Sequence, residues 1–256
     1  MIVIKNAHEI EAMKRAGRVA AAAREAAASF LASGTPDRMT TKDVDRVVDR
    51  TIRELGAIPT FLGYGGFPAS ACVSVNEEVI HGIPGTRKLH EGDLVKVDVG
   101  ATLDGFVGDC AATFYVGTPP ENAKKLAEVT RQSFWDAMAF ARPGYRLSDI
   151  SHAVQTTAER EGYGVIREYV GHGVGRKMHE DPEVPNFGAP GRGPRLLPGM
   201  TFAVEPMIAE GTWEVRRLAN RWTVVTVDGK LAAHYENTIL ITQGDPVILT
   251  HNELDI

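Results

Sequence analysis

Four carboxylates stand inside apolar, strand-like runs of this chain, in two sets that echo each other. Asp98 and Asp109 lie in VKVDVGATLDGFVGDCAATF, and Glu205 and Glu236 lie in TFAVEPMI and HYENTILI. An ionised carboxylate is costly to bury unless positive charge compensates it. A pair of divalent ions is the simplest compensation. Three histidines accompany the set: His81 in EVIHGIP, His172 in GHGVG and His179 in KMHEDPEVPN. The pattern points to a dinuclear metalloenzyme.

The echo reaches the whole chain. EGDLVKVD places Asp98 six residues after Gly92, and PGMTFAVE places Glu205 six after Gly199. DCAATFYV and ENTILIT each open a final strand with a carboxylate, Asp109 and Glu236. Asn6 with Glu9 reads as a capping box, so a helix is expected over 7–33, closed by Gly34. A second helix is expected over 41–55, then strands near 71–75, 94–100 and 107–116. The plan recurs with helices over 121–141 and 148–161. Strands are expected near 165–170, 201–206, 223–227 and 233–242. A repeat of this kind constrains the fold. It predicts an α/β (α+β) chain of two related halves, about 1–117 and 118–256, fused into one catalytic domain with the carboxylates at its centre.

At 256 residues the chain can bury a substantial core. A net charge of −5 argues against general nucleic-acid binding. Two cysteines, Cys72 and Cys110, fit a reducing compartment. No apolar run approaches the roughly 20 residues of a membrane span, and the charged N-terminal segment does not read as a secretory signal. A cytoplasmic protein is expected.

Side chains two apart on a strand share a face, so Asp98 points with Lys96 and Gly100, and Asp109 with Val107, Ala111 and Thr113. The TLDG turn would pair these strands antiparallel, with both aspartates near one hairpin end. Either aspartate alone is equally well a turn residue; the pair with its echo is not. Four carboxylates and an imidazole form an oxygen-rich ligand set suited to Mn, Fe, Co or Zn. Such ions lie about 3.5–4 Å apart and lower the pKa of a bridging water towards about 7. Metal-assisted hydrolysis by an activated hydroxide is the reaction class that follows. His81 and His179 are candidates to exchange protons or hydrogen-bond a scissile carbonyl. His8, His90, His152, His234 and His251 lack a motif and read as surface or satisfied core residues.

The segments GFPASACVSVNEEVIHGIP, VDVGATLDGFVGDCAATF, GHGVGRKMHEDPEVPN, VEPM and HYENTIL, in this order, resemble the type I methionine aminopeptidases over nearly the whole chain. The resemblance implies the pita-bread fold, a pseudo-two-fold curved antiparallel sheet covered by helices. It implies removal of the initiator methionine from nascent proteins whose second residue is small. By the same resemblance two divalent ions are held by Asp98, Asp109, His172, Glu205 and Glu236. Asp109 and Glu236 bridge them, Asp98 binds one, and His172 with Glu205 binds the other. Glu205 also handles the proton of the attacking water. His81 contacts the scissile amide nitrogen and His179 its carbonyl oxygen, while Tyr64, Phe67, Cys72 and Trp222 wall the methionine pocket.

The chain departs from the family at Met178, where an aromatic is frequent, and at Phe61 and Gly65, where bacterial members often carry Cys and His. None of these is an expected ligand, so they bear on rate or inhibitor preference. Glu205 and Glu236 are 31 residues apart, too close for the helical insertion of type II enzymes. The zinc-binding extension of eukaryotic type I members is also missing, so the minimal bacterial form is expected, as a monomer. Nascent N-termini are the expected partners, with ribosome docking left open. Two competing readings are a proline-directed aminopeptidase of the same fold and a metal-free binding protein.

Overall fold

The computed structural model describes residues 1–251. Helix α1 (Ala7–Ser33) opens on the expected capping box: Asn6 Oδ1 accepts from the Glu9 N–H, and the Glu9 carboxylate accepts from the Asn6 N–H. It ends at Gly34, which is extended (φ −76°, ψ 160°) rather than left-handed. The glycine is required there by space, because the Met39 side chain fills the position of a Cβ. Helix α2 (Thr41–Glu54) opens on a second capping box, Thr40 with Asp43. Strands β1 (Ile58–Pro59), β2 (Ala71–Val75), β3 (Glu78–Ile80), β4 (Leu94–Leu103) and β5 (Phe106–Tyr115) follow.

The order then recurs, with α3 (Glu121–Met138), α4 (Leu147–Arg160) and a series of shorter strands. These are β6 (Gly164–Val165), β7 (Gly171–Gly173), β8 (Glu180–Val184), β9 (Thr201–Val204) and β10 (Met207–Ala209). They continue with β11 (Val215–Arg217), β12 (Val224–Thr226), β13 (Ala232–His234), β14 (Glu236–Leu240) and β15 (Val247–Ile248). A nine-stranded sheet runs β1-β4-β5-β14-β9-β7-β8, with β2 also on β4 and β15 on β14. Its pairings are antiparallel. At its centre β5 of the first set meets β14 of the second, which gives the sheet its pseudo-two-fold order.

Strand alternation divides the sheet into two faces. Val95, Val97 and Val99 pack with Val19, Ala20 and Ala23 of α1 and with Val44, Val48 and Ile52 of α2. Phe202, Val204, Ile239 and Ile241 pack in the same way with Phe134 of α3 and Ile150 and Val154 of α4. Each of the Val, Ile and Phe side chains contributes about 1.5–3 kcal/mol on burial. Small residues let α1 lie close on β5: a Cβ on Gly108 would stand 2.5 Å from the Gly17 nitrogen. The opposite face carries the acidic residues.

The structure corrects several boundaries. The turn between β4 and β5 is only Asp104–Gly105, both with positive φ (51° and 76°). That geometry matches the twist of a tight hairpin, so both strands run ten residues and the aspartates lie mid-strand rather than at an end. The helix expected to reach 141 stops at Met138. Of the strand expected over 165–170 only Gly164–Val165 pairs, against Ile208 and Ala209. The strand expected over 233–242 is interrupted at Tyr235: β13 joins β10 in a three-stranded sheet, while β14 joins the main one.

Candidate metal centre and its pocket

Strand register gathers the acidic residues. Asp98 of β4 pairs with Ala111 of β5, and Ala111 pairs with Glu236 of β14. Opposed residues point to the same side of a sheet, so Asp98 and Glu236 share a face. Asp109 lies two residues from Ala111 and joins them. Thr238 ties β14 to Asp109: its Oγ1 accepts from the Asp109 N–H (3.2 Å) and donates to the Asp109 carbonyl (2.8 Å). Thr238 pairs with Ala203 and Ala203 with His172, which carries the same face to β7; Glu205 lies two residues past Ala203.

Asp109, Glu205 and Glu236 are buried and Asp98 is partly buried, and their oxygens are incompletely satisfied. Asp109 and Glu236 are 1% and 2% exposed. Asp98 Oδ1, Asp109 Oδ1 and Glu236 Oε1 have no hydrogen-bond partner among the described residues. Burial pushes the Asp98 carboxyl up to about 7. Burial, then neighbouring carboxylates, pushes Asp109, Glu205 and Glu236 well above the ordinary range. Orphaned, mutually repelling oxygens of this kind fit a divalent cation, which would supply the missing charge and coordination.

The imidazoles are set for the same task. His172 Nε2 lies 3.6 Å from Asp109 Oδ2 and 3.5 Å from Glu205 Oε1. Its Nδ1 lies 3.0 Å from the Gly173 carbonyl; donating there leaves the Nε2 lone pair facing the carboxylates. Burial, then His179, lowers the His172 pKa to about 4, so these spacings are not ion pairs at neutral pH. His179 packs against His172 with ring centroids 4.2 Å apart, and the Tyr64 hydroxyl lies 2.7 Å from its Nδ1. His81 holds a positive φ of 57° and packs edge-on to Tyr169 and Trp222. Burial, then His179 and Arg217, lowers its pKa to about 4.

A cavity of about 180 Å³ opens onto the cluster and is lined by every residue the sequence nominates. Those are Tyr64, Phe67, Cys72, His81, Asp98, Asp109, His172, His179, Glu205, Trp222 and Glu236. Phe61 and Met178 also line it, whereas Gly65 lies outside it, its Cβ direction facing Trp222. Cys72 pairs with Asp98 across β2 and β4, which sets the apolar wall directly beside the acidic row.

The sequence profile of metallopeptidase family M24 matches residues 11–243. The chain belongs to that family. It is 53% identical to the methionine aminopeptidase of Clostridium acetobutylicum over 98% of this chain and 99% of that protein. A crystal structure of methionine aminopeptidase from Thermotoga maritima superposes with a TM-score of 0.95 at 48% identity, covering 98% of this chain and 100% of that one. A prolidase from Pyrococcus furiosus shares the fold at 23% identity (TM-score 0.76), covering 98% of this chain and 66% of its own. The chain therefore has the pita-bread fold of M24 metallopeptidases, enzymes that bind divalent metal. Among the described residues no helix is long and apolar enough to cross a membrane.

Sequence reasoning about this M24 chain missed some of the pocket. Ile80, Tyr169 and Val170 complete the lining. His234, read as surface or satisfied core, is neither. It is 1% exposed, both its ring nitrogens lack hydrogen-bond partners among the described residues, and its Nε2 faces Glu205 and Glu236 at 3.7 and 3.8 Å. Burial, then His81 and Lys96, lowers its pKa to about 3. No alternation in the sequence marks it, because His234 and Glu236 stand on either side of the break at Tyr235, in different sheets. His8, His90 and His152 are exposed, as read.

Proposed function

We infer that this M24 chain is a methionine aminopeptidase that removes the initiator methionine from polypeptides whose second residue is small. The observation that carries the reading is the junction of an acidic cluster with a small, largely apolar cavity of about 180 Å³. Phe61, Phe67, Cys72, Ile80 and Trp222 supply apolar walls and a polarisable sulfur, which suit a thioether side chain.

Two divalent ions, of Mn, Fe, Co or Zn, would be held by Asp98, Asp109, His172, Glu205 and Glu236. Asp109 and Glu236 stand on the two adjacent central strands, with Asp98 on one side of them and His172 and Glu205 on the other. When bound, the ions supply a water acidified to near-neutral pKa and compensate the buried negative charge. Glu205 takes the proton of the attacking water and passes it to the departing amide nitrogen as the C–N bond breaks. His179, held at Nδ1 by the Tyr64 hydroxyl, presents its Nε2–H to the scissile carbonyl oxygen. His81, kept neutral by burial, contacts the amide nitrogen. The substrate chain beyond its second residue leaves through the cavity mouth.

The chain acts as one catalytic domain of two related halves, about 1–117 and 118–256, and as a cytoplasmic monomer. Two free, buried cysteines support a reducing compartment. Nascent-chain N-termini are its substrates, which a contact with the ribosome would serve.

The test is mass-spectrometric cleavage of Met-Ala-Ser, Met-Lys-Ser, Ala-Pro-Ser and Leu-Ala-Ser by metal-stripped protein refilled with Mn, Co, Fe or Zn. Metal-dependent loss of methionine from Met-Ala-Ser alone is expected. Cleavage of Ala-Pro-Ser would move the protein to the proline-directed peptidases. No cleavage with any metal would favour a binding protein.

A further inference from the structure

We propose that His234 is a positioning residue of the metal centre, its Nε2–H directed at Glu205 Oε2 and Glu236 Oε2 so as to orient those two carboxylates. The proposal rests on the metal-centre reading above. Glu205 divides its two oxygens between two imidazoles. Oε1 faces His172 Nε2 at 3.5 Å, on the side of Asp109, while Oε2 faces His234 Nε2 at 3.7 Å. The same His234 nitrogen stands 3.8 Å from Glu236 Oε2.

His234 has no other use for that nitrogen. The residue is 1% exposed, and neither ring nitrogen has a hydrogen-bond partner among the described residues. A buried N–H without a partner is costly, and the acceptors facing this one are those two carboxylates. The backbone that carries the ring is pinned on both sides. Thr113 Oγ1 donates to the His234 carbonyl (2.8 Å) and accepts from its N–H (3.0 Å), and His234 pairs with Met207. Asp98, His234 and Glu236 also offer atoms close enough together to share an ion. The split of the Glu205 oxygens favours the outer, donating role: the inner oxygen lies with His172 and Asp109, so the ligands remain five and His234 orients two of them. Outer partners of this kind set ligand orientation and typically change metal affinity or activity by 10–100-fold.

Three variants of the full chain test this: H234A, H234L, which fills the space without an N–H, and H234Q, which restores a donor. Calorimetric titration with Co(II), the visible spectrum of the Co(II) form, and kcat and KM for Met-Ala-Ser are measured, with unfolding of the metal-free forms as a fold check. H234A and H234L are expected to bind Co(II) about 10–100-fold more weakly, with reduced kcat and unchanged KM. H234Q should recover to within a few-fold of wild type, and the spectra should keep the wild-type coordination signature. H234L serves if H234A fails to fold. Wild-type affinity in H234L, or H234Q no better than H234L, overturns the proposal, as does a spectrum showing one lost nitrogen ligand, which would make His234 a ligand. Wild-type protein that binds no Co(II) would instead remove the metal-centre reading itself.

Discussion

The two sets of strands that build the acidic cluster do so by different means. In the first, β4 and β5 are ten residues each and joined by a two-residue turn, so Asp98 and Asp109 are fixed by one continuous hairpin. In the second, β9 and β14 span four and five residues, and β10 to β13 are inserted between them. The first set offers short aspartates from a rigid ladder. The second offers glutamates, whose extra methylene extends their reach, together with both imidazoles that face the cluster, His172 and His234. A pseudo-symmetric sheet can thus make an asymmetric site: one side supplies short carboxylates on a continuous hairpin, and the other supplies longer carboxylates and imidazole nitrogens.

The largest effect should come where the two sets meet. Asp109→Asn and Glu236→Gln should each reduce Met-Ala-Ser turnover by well over about 100-fold, more than the loss of a residue that only orients a ligand. Wild-type turnover in either would break the comparison. Next comes His81, outside the acidic row. His81→Ala should lower kcat by about 10²–10⁴ while elemental analysis finds the wild-type metal content. A large loss of metal there would make His81 a ligand.

The third effect is on pH dependence. In the metal-free protein Asp98 sits near 7, and Asp109, Glu205 and Glu236 sit well above the ordinary range. Unfolded, they release their protons near 3.9–4.3. Above that range the native state holds more protons than the unfolded chain, so their contribution to stability falls as pH rises towards and past 7. Ion binding displaces those protons. The increase in Tm on adding Mn should therefore be larger at about pH 8 than at about pH 5.5. Comparing the two forms at one pH cancels the opposing titrations of buried His81 and Lys96, which burial lowers to about 4 and about 7. An equal increase at both pH values would contradict the account.

The smallest effect concerns the frame of the first set. Gly108→Ala would press a methyl against the Gly17 and Ala16 backbone and should cost about 1–3 kcal/mol in urea unfolding. Unchanged stability would show that α1 can shift, and that the first set is less rigid than its hairpin suggests.

Much of this was legible in the sequence for physical reasons that differ by element. The four carboxylates announced themselves because charge in an apolar strand needs compensation. Long helices and the β4–β5 hairpin were legible because their caps, glycines and alternation agree. Strand β8 was not, because its sequence, EDPEV, is charged at a sheet edge and carries no apolar alternation. The break at Tyr235 was hidden because β13 and β14 read as one apolar run; only their partners, β10 and β5, assign them to different sheets. His234 was missed for the same reason, since its importance lies in what the fold brings opposite it.

The most direct test of a centre shared between two unlike sets is calorimetric titration of the metal-free wild type, Asp98→Ala and Glu205→Ala with Co(II). The account predicts two ions in the wild type and one lost in each variant, with different residual affinities because each variant strips a different position. Unchanged stoichiometry in both variants, or a single ion in the wild type, would contradict it.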